Sequence, residues 1–407
     1  MPFSLELKPF YFHFDHSRNL RLLYFDRILM DLNGRLALFF VPVFLFQLGS
    51  REDFDLFGNF SQLQSGFLAI GLYYFIFRFV VLLTTIKIGQ ISKLIGQSRS
   101  MFVGYIFYIF VALSLWQAQT SYLFIFVAAV AYGLHVCFYW PAFHSLLVSN
   151  TMKNHLGQDL GILQFILQLI SIVSPAISGL IIVSLGFGNL FFLSAIFSLL
   201  AALNVLKIQD SKISHRPVLA EFFEWLKEKQ YRLLSLSFIG KYFSDATLIV
   251  WPLYVLFILG SVDKVGYLYS FSLFLSLIFS FFIGIYIDHH KSRKPFFTSG
   301  WLLSAVWLLR TQVFGPISIS LVDATHKVIA NFHWLYYERI LYRRGKGKKS
   351  FAYFVYREIV LAFAALLMWG SFMVIFIIWN RWEGLFVLAA IGVLMSLFMR
   401  ERVTESH

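Results

Sequence analysis

The sequence predicts an all-α integral membrane protein: twelve transmembrane helices in two pseudo-symmetric six-helix bundles around a central cavity. Three observations predict it. Of 407 residues, 59% are hydrophobic and 14% charged, where a soluble domain carries about 25% charged residues; mean hydropathy is +0.72. Apolar stretches near the roughly 20 residues that cross a bilayer recur at 23–48, 64–87, 100–117, 121–147, 159–184, 187–206, 232–259, 265–287, 295–314, 315–337, 351–378 and 382–399. Finally, the first stretch recurs in the seventh. Asp31 and Lys241, Arg35 and Asp245, and Pro42 and Pro252 each lie 210 residues apart, and Gly49 and Gly260 lie 211 apart. Two homologous halves facing one cavity are the plan of a secondary transporter. The halves are expected at 1–206 and 231–407, joined by a linker at 207–230.

Positive charge orients the chain. With both termini cytoplasmic, 24 of the 34 Lys and Arg residues fall on the cytoplasmic side, against Arg51, Lys264 and Arg381 outside. This bias accounts for the net charge of +13 without nucleic acid. The membrane is expected to be the plasma (inner) membrane. Met1 to Asn19 contain no apolar run before a small-residue cleavage site, so no removable signal is expected. A single cysteine, Cys137, excludes a disulfide framework within one chain. No cofactor is expected, and no Walker-type run occurs, so ATP is not the driver.

The first span carries Arg27, Asp31 and Arg35 at four-residue spacing, on one helix face. Each such charge costs about 2.5–3.5 kcal/mol in lipid, so this face must look into protein or a wet cavity. Arg78 in the second span has no acid on its own helix, and Asp31 and Glu358 are its candidate partners. The loop that follows reads Gly89-Gln-Ile-Ser-Lys93-Leu-Ile-Gly96-Gln-Ser-Arg99. In the fourth span Tyr132, His135 and Tyr139 share a face. His135 is a candidate cavity residue, although a lone helical histidine is more often a hydrogen-bonded packing residue.

The fifth span aligns Gln164, Gln168, Ser171, Pro175 and Ser178 on one polar, small-residue face. In the linker, Ala220 to Lys229 reads as an amphipathic helix at the inner surface, in contact with membrane lipids. The basic run Arg343 to Lys349 reads as a topology anchor for anionic head groups. The seventh span brings Lys241 and Asp245, in the reverse order of Asp31 and Arg35. Opposite order favours pairs that close across the cavity, linking the halves in one state and parting in another.

The loop after the eighth span reads Gly284-Ile-Tyr-Ile-Asp288-His-His-Lys-Ser-Arg293. Its Asp-His-His triplet also occurs in metal phosphoesterases, but the further acidic ligands such a site needs are lacking here. Gly315-Pro316 separates the ninth and tenth spans. The tenth places Asp323, His326, Lys327, Ala330, Asn331 and Trp334 on one polar face. The eleventh holds Arg357 and Glu358 within the membrane.

This chain resembles the major facilitator superfamily over essentially its whole length. The resemblance rests on the two six-span halves and on the two inner loops. The family's loop signature, Gly-x-x-x-Asp-Arg-x-Gly-Arg-Arg, keeps its glycines in the first copy, but Lys93 stands where the acid belongs. The second copy keeps Gly284, Asp288 and Arg293 with relaxed spacing. The resemblance implies a gating role for Gly89, Gly96, Arg99, Gly284, Asp288 and Arg293. Ser174-Pro175-Ala-Ile-Ser178-Gly179 is similar to a signature of the family's drug/proton antiporters, and helix packing is the preferred reading of it. The fourth span lacks the antiporters' buried arginine.

Function follows as an expectation. The chain should carry a small polar or amphiphilic solute by alternating access, with protons as a coupling ion. The deep bases Arg35, Arg78, Lys241, Lys327 and Arg357 slightly outnumber the acids Asp31, Asp245, Asp323 and Glu358, which favours an anionic or zwitterionic solute. The rivals are a drug or lipid exporter or flippase on the same fold, a receptor on a transporter scaffold, and a membrane-embedded enzyme. An enzyme would gather its polar groups at one membrane face, whereas here they are spread over both halves.

Overall fold

The structure, a computed structural model, describes residues 17–52, 60–150, 156–210, 213, 215–289 and 294–400. For 156–162, 164–165 and 278–289 only the backbone is described. Among the described residues there are helices and turns but no strand. A helix suits the bilayer because it satisfies each backbone amide within its own segment.

The expected twelve crossings are present. The first is α1 (Arg18–Leu36), a short 3-10 turn and α2 (Val41–Gly49). Pro42 lies in the first turn of α2; its missing N–H removes one bond of a continuous ladder and breaks the helix there. Then come α3 (Gln62–Ile95), α4 (Gln97–Gln117), α5 (Leu123–Asn150) and α6 (Leu156–Val205). The last is two crossings joined at Gly186, whose φ of 81° interrupts the helix. In the linker, α7 (Leu219–Lys227) is short and amphipathic. The second half is α8 (Lys229–Leu259), α9 (Val262–His289), α10 (Lys294–Leu309), α11 (Pro316–Arg344), α12 (Ser350–Ile378) and α13 (Glu383–Ser396).

The halves meet through α3 against α12, α6 against α9, α5 against α12 and α2 against α8. A pseudo-twofold that exchanges the first and seventh crossings also exchanges the second–eleventh and fifth–eighth pairs. The two main interfaces are therefore equivalents of each other. Small residues permit the closest approaches: a Cβ at Gly240 would strike the Gly392 carbonyl where α8 meets α13.

At the face opposite the linker the halves are held by rings. Phe67 stacks on Phe376 with centroids 3.7 Å apart, and Phe46, Phe257, Phe372 and Trp382 surround the pair. Deeper, Tyr74 stacks on Trp369 at 4.3 Å. At the linker face, α7 buries Phe222 and Trp225 against Tyr356 of α12. Glu221 accepts a hydrogen bond from Tyr356 (3.0 Å) and pairs with His215 (2.6 Å). The His215 contact, foremost, holds the Glu221 carboxyl below its ordinary range.

Candidate functional site

A cavity of about 960 Å³ lies between the halves. It extends from Arg27, Trp140 and Glu338 on the linker side to Phe39, Tyr73 and Asp323. Both halves contribute charge: Asp31 and Arg35 from α1, Asp245 from α8, Asp323 and Lys327 from α11. Rings of Tyr132, Tyr269, Phe332 and Trp334 supply much of the remaining wall, with Gln168, Ser171 and Asn331 as uncharged polar groups.

The four-apart pairs close within their helices, contrary to the cross-cavity arrangement expected from their opposite order. Lys241 Nζ lies 2.8 Å from Asp245 Oδ2. Asp31 is shared by Arg35 at 3.3 Å and Arg27 at 3.6 Å. One helical turn already brings such side chains together, so no partner from the other half is needed here.

Asp323 has two cations as well. It contacts Lys327 on its own helix and the Arg310 guanidinium at 3.5 Å. Arg310 ends the ninth crossing, is fully buried, and stands between Trp251 and Trp307, 4.0 and 4.2 Å from their ring centroids. A desolvated cation over an indole gains about 2 kcal/mol or more, which offsets part of the several kcal/mol lost on burying the charge.

Arg78 reaches across the interface. Its Nη1 lies 3.8 Å from Glu358 Oε2, and its guanidinium sits over the rings of Phe77 and Tyr242. Glu358 also accepts a hydrogen bond from Arg357 at 3.0 Å. Of the two partners foreseen for Arg78, this is the one found. Arg78, Arg357 and Glu358 stand in the interface rather than in the cavity wall.

His135 is a correction. It is buried between α4 and α5, with Nδ1 2.8 Å from the Gly104 carbonyl and its ring among Tyr108, Tyr132 and Tyr139. It does not line the cavity; neighbouring Tyr132 does. The side chain of Gln164 lies outside the described residues.

The first signature loop is built tightly. A Cβ at Gly89 would meet Pro217 and Val355 at 2.9 and 3.1 Å, so only glycine lets α3 lie this close to the linker and α12. Gly96 turns the chain with φ of 96°. Beside it, Asp210 accepts the Ser98 amide at the start of α4. A carboxylate thus meets the positive helix end, supplied by the linker rather than by position 93. Lys93 and Arg99 are exposed. In the second loop the backbone of Gly284 and Asp288 belongs to α9, but their side chains, and all of Arg293, lie outside the described residues.

Sequence reasoning missed three groups, two of them buried. Arg310 was visible as a base inside a span without an acid on its helix. Asp26 is fully buried and accepts hydrogen bonds from Tyr105 (2.6 Å) and Tyr139 (2.8 Å); it stands off the four-residue spacing of Arg27, Asp31 and Arg35. Asp210 carried no local signal, because its partner lies 112 residues away.

The family model described as Major Facilitator Superfamily matches residues 27–243, more than half of the chain. Among solved structures, the fold is similar to that of the fucose:proton symporter FucP of E. coli. The TM-score is 0.62 at 13% identity, over 94% of this chain and 97% of that one. No curated protein matches the sequence.

Proposed function

The chain belongs to the major facilitator superfamily, a family of secondary transporters, and from that premise we propose that it moves a small polar or amphiphilic solute by alternating access. The observation that carries this reading is a cavity whose charged walls come from both halves. A solute there would touch both bundles, and rocking one against the other would expose it to each side in turn. The ring cluster at the face opposite the linker would part in the alternate state.

The finer reading is an anionic or zwitterionic solute, coupled to protons, in a plasma membrane with both chain ends in the cytoplasm. The charge distribution along the loops supports that orientation. Asp31, Asp245 and Asp323 supply titratable groups at the cavity, and each sits next to a base that a proton could release. Uptake into vesicles holding the purified protein, with and without a pH gradient, tests the reading. Uptake that responds to the gradient is expected, and uptake no greater than in empty vesicles would contradict it.

A further inference from the structure

The charges around the cavity do not cancel evenly. On the α1 side, Arg27 and Arg35 share Asp31, and Glu338 acts on Arg27 from across the cavity. Two bases therefore face two acids. Lys241 and Asp245 balance each other. The surplus lies at Asp323, one carboxylate between two cations, Arg310 and Lys327. His326 packs beside this group and can only add positive charge. Arg35 faces it from the other half and acts on Lys327 repulsively.

The cluster's hydrogen bonds are also incomplete. Arg310 is fully buried, yet its Nε, Nη1 and Nη2 have no hydrogen-bond partner within normal distance, and neither has Asp323 Oδ1, which stands 3.5 Å from Nη2. Lys327 Nζ reaches the Tyr269 carbonyl at 3.4 Å and lies 4.3 Å from the Tyr269 ring centroid. A buried, net-positive cluster with unsatisfied donors behind a cavity wall requires a counter-anion.

We propose that the missing counter-anion is the solute's own: an organic anion with a flat apolar body, its anionic group on Lys327 and its body against the rings of Tyr269 and Trp334. This rests on the transporter reading above and narrows it. Asp323 is then the internal competitor. When the anion takes Lys327, Asp323 turns fully to Arg310, whose unsatisfied donors receive it. Arg310 is a positioning residue that never touches the solute. A carboxylate and a phosphate monoester share this chemistry.

The test is equilibrium binding to the full chain in lipid nanodiscs, read by quenching of tryptophan emission. The probes are 1-naphthoate, benzoate and phenyl phosphate, with 1-naphthamide and benzamide as neutral counterparts and chloride as a bare anion. At least one organic anion should bind about tenfold more tightly than its neutral counterpart; the carboxylate and phosphate arms identify the head group. Lys327→Gln should remove that preference, and Lys327→Arg should keep it. Asp323→Asn should tighten anion binding, since it deletes the competitor; a purely structural Asp323 would leave affinity unchanged or lower it. Equal binding of anions and neutral counterparts, chloride binding alone, or weaker anion binding by a folded Asp323→Asn protein would each overturn the proposal. Vesicle uptake separates the two readings. Uptake of neutral solutes only would remove the anion site and leave the transporter, whereas anion binding without any uptake would do the reverse.

Discussion

Arg78 Nη1 of the first half lies 3.8 Å from Glu358 Oε2 of the second, and Glu358 is held at the same time by Arg357. One buried carboxylate therefore serves two guanidiniums where α3 meets α12. The arrangement is unequal. Glu358→Gln leaves two partly buried cations without an acid, at up to about 3–5 kcal/mol. Arg78→Gln leaves the Arg357–Glu358 pair intact and should cost less than half as much. Thermal unfolding of the purified variants checks this order; equal losses would show that the 3.8 Å contact carries the larger share.

Asp26 accepts two tyrosine hydroxyls inside the first bundle, away from the cavity. The two hydroxyls bond different carboxylate oxygens; asparagine keeps one acceptor, and its NH2 can donate to the other hydroxyl once that has turned, so Asp26→Asn should fold and lose about 1 kcal/mol or less. Asp26→Leu leaves both hydroxyls unpaired and should lose about 1–3 kcal/mol for each. Melting temperatures of the two variants, with Tyr105→Phe and Tyr139→Phe as single-bond controls, decide the matter. An Asn variant as damaged as the Leu variant would show that the charge itself is required.

Gly96 and Asp210 form one device at the start of α4. Gly96→Ala combines a φ of 96°, which costs a non-glycine residue about 1–3 kcal/mol, with a collision against the Asp210 carboxylate. Asp210→Asn removes only the charge at the helix end, about 0.3–1 kcal/mol. Gly96→Ala should thus be the more damaging change in thermal stability, and Asp210→Asn should retain most of the transport activity.

Orientation is tested by labelling. Cys137 is buried and can be replaced first. Cysteines at Arg51, Gln119 and Asn380, all exposed, should then react with an impermeant reagent from outside intact cells, while one at Lys348 should react only after permeabilisation. Reversed labelling would contradict the orientation.

The twelve crossings were legible because lipid imposes one rule on every segment: an apolar run of sufficient length, ended by polar residues. The separation at Gly315-Pro316 and the amphipathic α7 could be read for the same reason. Local pairs such as Lys241 with Asp245 were legible as a choice between two arrangements. Spacing alone could not make that choice, because a four-residue interval suits both a helix turn and a cavity wall. Arg310 on Asp323 and Asp210 on Ser98 were not legible, since nothing near them in the chain reports which distant helix end they meet. His135 misled because a polar face on a helix can turn toward a neighbouring helix as readily as toward a cavity.

The central claim is that the halves exchange contact around this cavity. In this structure the face opposite the linker is closed, with Gln64 Nε2 donating to the Ile377 carbonyl at 3.1 Å across the halves. Gln64→Cys and Ile377→Cys, placed in a Cys137→Ala background and joined by a short reducible linker, should hold that face shut. Labelled sugars, amino acids, nucleosides and organic acids are then offered to vesicles holding the protein. The account predicts uptake of at least one class, abolished by the cross-link and restored when the linker is reduced. Uptake that persists at full rate in the cross-linked protein, or no uptake of any class by the free one, would contradict it.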